Sequence, residues 1–296
     1  MNISTGTGED FQISIWLNSS HSEITVTLGC LMNNPQKIAV VTLNWNGKSV
    51  LNDMIESLLP QIESTEARLV VFDNCSTDGS DELALEKYGH YDWFSLEKAD
   101  ENLGFAAGAN KVIGNISDDI IVLVNNDTVF LPGSLSELLA GLQRHSDAGM
   151  VGPRLLWQDR TLQPSMRDFP FPGKLFKEHF PPARRNSAKY SKHNQEITTD
   201  WVVGAIMAFR REVFMQVDGF DEEYFFYHEE TDLQYRMYKT GLKTWFIPSA
   251  EVIHLEGVSA RQKFGNETYL KYISEKVRFL KKHGYKGAGA GFKLLM

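Results

Sequence analysis

The feature that most constrains this chain is an alternation that begins at Lys37. Apolar, β-prone stretches at 37–43, 68–73 and 119–124 are separated by helical segments at about 49–62, 78–88 and 104–115. Parallel strands need a crossover connection long enough to hold a helix, so strands that alternate with helices predict a parallel sheet. The expected architecture is α/β, a mostly parallel central sheet with helices on both faces. Ser49 and Asp78 stand where two of the helices need N-terminal caps. Ligands of such sheets collect at the carboxyl ends of the strands. The first strand runs into Asn44-Trp45-Asn46-Gly47, the second into Asp73-Asn74-Cys75-Ser76-Thr77-Asp78-Gly79-Ser80, and the third into Asn125-Asn126-Asp127. The loop from Glu101 to Asn110 is polar too. One such end is a turn; four converging on one edge predict a site.

The flanking segments are less regular. In residues 1–36, Phe11–Leu17 and Ile24–Leu28 surround Asn18-Ser19-Ser20-His21-Ser22 and read as a β-hairpin, suited to a sheet edge or a homodimer contact. Residues 158–200 form a long loop, because Pro164, Pro170, Pro172, Pro181 and Pro182 interrupt regular elements while Arg184, Arg185, Lys189 and Lys192 add positive charge. The expected division is therefore 1–36, a nucleotide-binding half at 37–157, a second half at 158–268, and a basic tail at 269–296.

Composition narrows the class. With 42% hydrophobic and 23% charged residues, the 296-residue chain is ordinary for a soluble globular protein. A net charge of −8 argues against a nucleic-acid binder. Cys30 and Cys75 lie in no metal-ligating spacing, and no leader or membrane-spanning run is visible, so a cytoplasmic setting is expected.

Taken in order, Thr42–Gly47, Asp73–Ser80, Asn102–Asn110, Asn125–Thr128 and His228-Glu-Glu-Thr-Asp-Leu233 resemble the inverting glycosyltransferases of family 2, the rhamnosyltransferase-type enzymes of bacterial polysaccharide assembly in particular. The likeness runs from about Lys37 to His283. It implies the Rossmann-like GT-A fold, a uridine or deoxythymidine diphosphate sugar as donor, a glycan or lipid-linked glycan as acceptor, and a divalent metal, Mg²⁺ or Mn²⁺. It places Thr42, Asn44 and Asn46 at donor-loop positions and Asp73 at the carboxylate that reads a pyrimidine. Asn102, Gly104, Gly108 and Asn110 match the loop beside the diphosphate, with Asn126 alongside, and Arg167 falls in a segment near the donor.

Asp127 matches the last position of the family's Asp-x-Asp metal motif, and Asn125 stands where that motif has its first Asp. One or two protein carboxylates suffice for Mg²⁺ or Mn²⁺ when phosphate and water complete the shell. His254, which follows an apolar strand, is either a packed hydrogen-bonded residue or a second ligand, as the family's order of His, Gly and Ser suggests. The acidic pair that opens the acceptor-side helix is Glu229-Glu230. Glu230 aligns with the family's base, and Glu229 competes with it; acids in a first helical turn also serve the helix dipole. Trp201, Gly204, Ala205, Tyr227 and His228 are candidates for an acceptor pocket, since aromatic faces pack on sugar rings. Asp232 and Arg236, four apart, predict a helix-surface ion pair.

From Tyr269 onward seven basic residues, Lys271 to Lys293, face Glu275 alone. Such a tail suits either a solvated helix face or peripheral contact with the inner face of the cell membrane. Two other functions share parts of this pattern: a non-catalytic nucleotide-sugar-binding protein, and a sugar-1-phosphate nucleotidyltransferase. The second needs a Gly-rich basic loop after the first strand, where this chain has Asn44-Trp-Asn-Gly. A dinucleotide-dependent oxidoreductase fits less well still, because no GxGxxG follows a strand.

Overall fold

Uninterrupted apolar strands are buried on both faces, and that property organises the structure. The computed structural model describes residues 11–16, 23–28, 36–174, 192–224, 226–255 and 268–285. The chain divides into two compact units, Met1–Gln36 and Lys37–Met296. In the first, β1 (Phe11–Trp16) and β2 (Glu23–Leu28) pair antiparallel, with Phe11 opposite Leu28. Cys30, the hairpin loop, the 175–191 stretch with Pro181, Pro182, Arg184, Arg185 and Lys189, and the tail lysines Lys286 and Lys293 lie outside the described residues.

The second unit follows the expected alternation. Its elements in chain order are β3 (Ile38–Asn44), α1 (Leu51–Thr65), β4 (Arg68–Asp73), α2 (Ser80–Tyr88), β5 (Phe94–Lys98), α3 (Gly104–Asn115), β6 (Ile120–Asn125), β7 (Thr128–Phe130) and α4 (Ser134–Arg144). Then come β8 (Ala148–Leu156), β9 (Leu162–Gln163), β10 (Met166–Arg167), β11 (Ile197–Thr199), β12 (Trp201–Val202), β13 (Ile206–Arg210), α5 (Arg211–Gln216), α6 (Glu229–Lys239), β14 (Lys243–His254) and α7 (Thr268–Lys282). A ten-stranded sheet has the order β11-β14-β8-β13-β6-β3-β4-β5, with β7 on β14 and β9 on β8. Successive β3 residues point to opposite faces. Val40 packs with Leu51, Met54 and Leu58 of α1 and Leu135 of α4; Ala39 and Val41 pack with Ala109 and Val112 of α3 and Phe214 of α5.

Several details differ from the sequence-based expectation. β13 runs antiparallel to both β6 and β8, so the mostly parallel sheet is mixed at its centre. β5 was not anticipated, because Phe-Ser-Leu-Glu-Lys is too polar for a core strand; among the described residues it pairs with β4 alone, at the sheet's edge. Ser49 does not cap α1, which follows Val50 with no side-chain cap. Asp78 sits one residue outside the α2 cap position, and its Oδ1 accepts the Ser80 N–H at 3.0 Å. The long loop contains short strands β9, β10 and β11.

The ion pair of Asp232 and Arg236 is not on the surface. Asp232 is fully buried; it accepts hydrogen bonds from Arg236 Nε (2.6 Å) and His283 Nε2 (2.8 Å) and pairs with Lys282 Nζ (2.8 Å). Burial opposes its ionisation, but these partners outweigh burial and hold the carboxyl well below the usual carboxylate range. The basic helix faces inward as well. In α7, Ile273, Phe279 and Leu280 are buried, and Phe279 and Leu280 pack with Phe169, Trp201 and Tyr224. Lys271 and Arg278 pair with Glu275, Arg278 also with Glu223, and Lys282 with Asp221. Three of the seven basic residues, Lys271, Arg278 and Lys282, pair with the protein's own carboxylates.

Candidate active site

The parallel register aligns the strand ends side by side: Asn44 lies opposite Asp73, and Leu43 opposite Asn125. Asn44 is fully buried, and its amide ties the three ends together. Nδ2 donates to Asp73 Oδ1 (2.9 Å) and Ser80 Oγ (2.8 Å), while Oδ1 accepts from Asn126 Nδ2 at 3.0 Å. Gly47 is the residue that permits this. A Cβ there would stand 2.2 Å from Asn44 Oδ1 and 2.4 Å from Asn126 Nδ2. Asp73 is fully buried and accepts from the Ser76 N–H (2.9 Å) and Ser76 Oγ (2.5 Å), so its carboxylate holds its own loop in shape. Asn46 Oδ1 accepts the Thr77 N–H at 2.8 Å. Asn74 fixes the next loop: its Oδ1 accepts from Leu103 N (2.9 Å), and its Nδ2 donates to the Gly104 carbonyl (3.0 Å) and Asn102 Oδ1 (3.3 Å).

Four expected contact residues face inward. Thr42 is fully buried, and its Oγ1 has no partner among the described residues. Gly108 brings α3 against the sheet, since a Cβ would meet Leu43 Cδ2 at 2.9 Å. Asn110 spends its amide on the Phe220 backbone and Glu222 Oε1, bracing the 219–222 turn. Ala205 sits in the main core, where its carbonyl accepts the Asn125 N–H at 2.8 Å, and so it lines no pocket.

A second corner forms where β7 pairs with the end of β14. Thr128 is opposite His254, which brings Asp127 Oδ1 to 3.5 Å from His254 Nε2. Both residues are about 5% exposed, and neither atom has a hydrogen-bond partner among the described residues. His254 Nδ1 lies 3.2 Å from Gln163 Oε1 on β9. A carbonyl oxygen only accepts, so in the neutral ring Nδ1 carries the proton and Nε2 presents its lone pair toward Asp127. One carboxylate oxygen and one imidazole nitrogen, buried and facing each other, form a donor set that suits Mn²⁺ or a similar divalent ion. Among the described residues no cluster of three or more His, Cys, Asp or Glu side chains could hold a metal without further ligands.

The third part is the start of α6. Tyr227 and His228 both adopt left-handed backbone (φ 74° and 68°), a conformation that costs non-glycine residues energy and turns the chain sharply into the helix. His228 is buried among Trp201, Tyr272 and Phe279, and burial together with Lys276 lowers its pKa to about 3, so the ring is neutral. Glu229 and Glu230 follow. Each has an Oε2 that is buried with no partner among the described residues. Burial raises the pKa of both, and for Glu229 the charge of Glu230 raises it further. Glu230 lies over Gly204, where a Cβ would stand 3.2 Å from its Cβ and Cγ. The Arg167 charge acts on Glu230, while Arg167 itself donates to the Met166 carbonyl at 3.0 Å. Trp201 donates its indole N–H to the Asp168 carbonyl (3.0 Å) and is largely buried.

Asn74, Gln163 and Tyr272 were not singled out as site residues beforehand. Asn74 was visible only as part of a turn motif. Gln163 sits in the proline-rich stretch, and Tyr272 in a helix that reads as solvated; for these two no local signal existed.

The carboxyl-end loops of the sheet, the buried Asp127–His254 corner and the acidic start of α6 make up the candidate site. The chain matches glycosyl transferase family 2 over residues 38–218, more than half its length, and belongs to that family. A second match, over 184–258, is to the family described as the N-terminal domain of galactosyltransferase. Among curated proteins it is 31% identical over 235 residues to the N-acetylglucosaminyl-diphospho-decaprenol L-rhamnosyltransferase of Mycobacterium tuberculosis, covering 73% of this chain and 75% of that one. It is 27% identical over 230 residues to an O-antigen biosynthesis protein of Myxococcus xanthus, covering 76% of this chain and 18% of that one. Among solved structures, GalNAc-T7 with UDP, GalNAc and Mn²⁺ superposes with a TM-score of 0.64 at 14% identity, over 85% of this chain and half of that one. The mannosyltransferase PcManGT from Pyrobaculum calidifontis, with GDP-Man and Mn²⁺, gives 0.57 at 15% identity, over 82% of this chain and 64% of that one. These likenesses establish the GT-A fold. The protein is a family 2 glycosyltransferase similar to rhamnosyltransferases of cell-envelope polysaccharide assembly. Among the described residues, no helix is long and apolar enough to cross a membrane.

Proposed function

We propose that the enzyme moves rhamnose from a deoxythymidine diphosphate donor, with inversion, onto a saccharide or lipid-linked saccharide. The rhamnose reading is supported by the mycobacterial relative, which is named as an L-rhamnosyltransferase acting on a diphospho-decaprenol-linked sugar. The observation that carries the chemistry is the acidic start of α6, where Glu229 and Glu230 each keep a buried carboxyl oxygen with no partner among the described residues and Glu230 lies against Gly204.

The nucleoside would lie over the loops framed by Asn44, Asn46, Asp73 and Asn126, and the diphosphate near Asn102 and Gly104. Asp127 and His254 are the residues that would hold a divalent cation, which supplies Lewis-acid neutralisation of charge on the departing diphosphate. Arg167 stands near Glu230, where its charge favours the ionised base. Trp201, Tyr227 and His228 would shape the acceptor side.

Glu230 takes the proton of the attacking hydroxyl. The acceptor oxygen forms its bond to the anomeric carbon as the bond from that carbon to the phosphate oxygen breaks, and the electron pair leaves with the nucleoside diphosphate. One displacement inverts the centre, and no covalent sugar–enzyme intermediate is required.

A panel of nucleotide sugars, scored by thermal stabilisation in Mn²⁺, tests this reading. Deoxythymidine diphosphate rhamnose should shift the melting temperature most, and Mn²⁺ should be required for the full shift. Failure of every deoxythymidine and uridine diphosphate sugar to shift it would overturn the donor assignment.

A further inference from the structure

Proton abstraction by Glu230 requires its carboxyl to stand still, and a residue just beyond the His228–Leu233 motif meets that requirement with neutral hydrogen bonds. Gln234 lies one turn after Glu230 in α6 and is fully buried. Its Oε1 accepts the Val202 N–H at 2.8 Å, and its Nε2 donates to the Val202 carbonyl at 2.9 Å. Nε2 also donates to the Glu230 carbonyl at 3.0 Å, and Thr244 Oγ1 of β14 donates to Oε1 at 3.3 Å. A primary amide has two N–H donors and two lone pairs on its oxygen, and all four are used here.

The arrangement is that of a strand neighbour. On one edge β12 pairs with β10, Met166 opposite Val202 and Arg167 opposite Trp201, and the Val203 N–H goes to the Ser165 carbonyl on that same side at 3.0 Å. Backbone groups alternate along a strand, so the Val202 N–H and carbonyl point to the other edge, where the Gln234 amide pairs with them as a further strand would. Two residues on, Gly204 lies against the Glu230 side chain. The first turns of α6 thus touch the 201–204 segment twice, through Gln234 at Val202 and through Glu230 at Gly204. A charged clasp at 234 would bias the ionisation of Glu229 and Glu230 one turn away; a neutral amide leaves it alone.

We propose that Gln234 is a positioning residue, whose amide docks α6 on the Val202 backbone and so sets where the Glu230 carboxyl stands over Gly204. The inference rests on the reading of Glu230 as the base and deepens it, because it names what holds the base in place. Gln234→Met keeps the volume and removes all four hydrogen bonds. It should lower turnover by about 10- to 100-fold, the scale for a reacting group displaced by about 1 Å, with donor affinity within about twofold of wild type. Its melting temperature should fall by several degrees, since the Val202 peptide loses its partners, and rates are read below the melting range.

A double-mutant cycle separates positioning from a general softening of the fold. A residue that acts through Glu230 loses its effect once Glu230 is Gln, so Gln234→Met should change the residual turnover of Glu230→Gln by less than about threefold. Gln234→Asn, whose amide falls one methylene short of Val202, should give the same pattern and carries the test if the Met variant does not fold. The assay uses the full chain in Mn²⁺ with the nucleotide sugar that gives the largest thermal shift and a synthetic N-acetylglucosaminyl-diphospho-lipid. Enzyme in excess gives single turnovers, and donor hydrolysis by water, which needs the same base, is read as a second rate. Equal fold losses in both backgrounds, or wild-type turnover by a folded Gln234→Met or Gln234→Asn enzyme, would overturn the positioning role and leave the base assignment standing. Wild-type turnover by Glu230→Gln alone would overturn the base assignment, and the positioning role with it.

Discussion

Gly204 has no side chain, and Glu230 occupies the space that one would fill. A Cβ at 204 would stand 3.2 Å from both Cβ and Cγ of Glu230, so Gly204→Ala must displace the carboxyl by a few tenths of an ångström or more. Small misplacements of a reacting group are costly. Gly204→Ala should lower turnover about tenfold or more while the melting temperature changes little, measured by product formation and calorimetry. Asp127 and His254 call for a different readout. Asp127→Asn should abolish the Mn²⁺-dependent part of donor affinity and leave the metal-free part unchanged. Gln163 holds the His254 ring from behind at 3.2 Å, and Gln163→Ala should weaken Mn²⁺-dependent donor binding by about 10- to 100-fold. Titration calorimetry with and without Mn²⁺ separates the two. Equal losses in both conditions would make these residues structural.

At the scale of elements, the junction of α6 with α7 decides where the acids sit. Asp232, one turn into α6, binds Arg236 of its own helix and Lys282 and His283 at the end of α7. Removing a buried counter-charge leaves several cations uncompensated. Asp232→Asn should therefore cost about 3–5 kcal/mol and lower the melting temperature by several degrees. The pH dependence has a definite sign. Asp232 is held below its unfolded-state value of about 4, so its contribution is complete above that pH and is lost as pH falls below it. The melting-temperature gap between wild type and Asp232→Asn should hold steady from pH 7 to about pH 5 and start to narrow only below about pH 4. The junction also explains why the pairing of α7's cations was not visible in the sequence. A run of Lys and Arg shows in one dimension only that charge is present; the partners Asp221, Glu223 and Asp232 lie some fifty residues upstream, and only the folded chain sets them opposite. A strand end behaves in the contrary way. Asn44, Asp73 and Asn125 interrupt apolar runs, and a parallel register places such interruptions side by side without any other information.

At the scale of the whole molecule, the catalytic unit begins at Lys37, and β1 and β2 belong to a separate unit. A chain starting at Lys37 should bind donor as the full chain does, while a chain ending before Thr268 should aggregate, because Phe169 and Tyr224 lose Phe279 and Leu280 from their cluster. Thermal shift and size-exclusion chromatography test both. The alternation of strands and helices and the polar strand ends were legible because both are periodic or local signals. The meeting of Asp127 with His254 came only through family likeness, since it depends on the pairing of β7 with β14. The inward orientation of Thr42, Gly108, Asn110 and Ala205 was not legible, because a motif identifies residues without telling the contact from the brace. The central claim is that Glu230, poised over Gly204, removes the acceptor proton. The direct test is transfer from saturating deoxythymidine diphosphate rhamnose by wild type and Glu230→Gln, with donor affinity measured in parallel. Transfer should fall by about 10²- to 10⁴-fold at unchanged donor affinity; turnover by Glu230→Gln close to that of wild type would contradict the account.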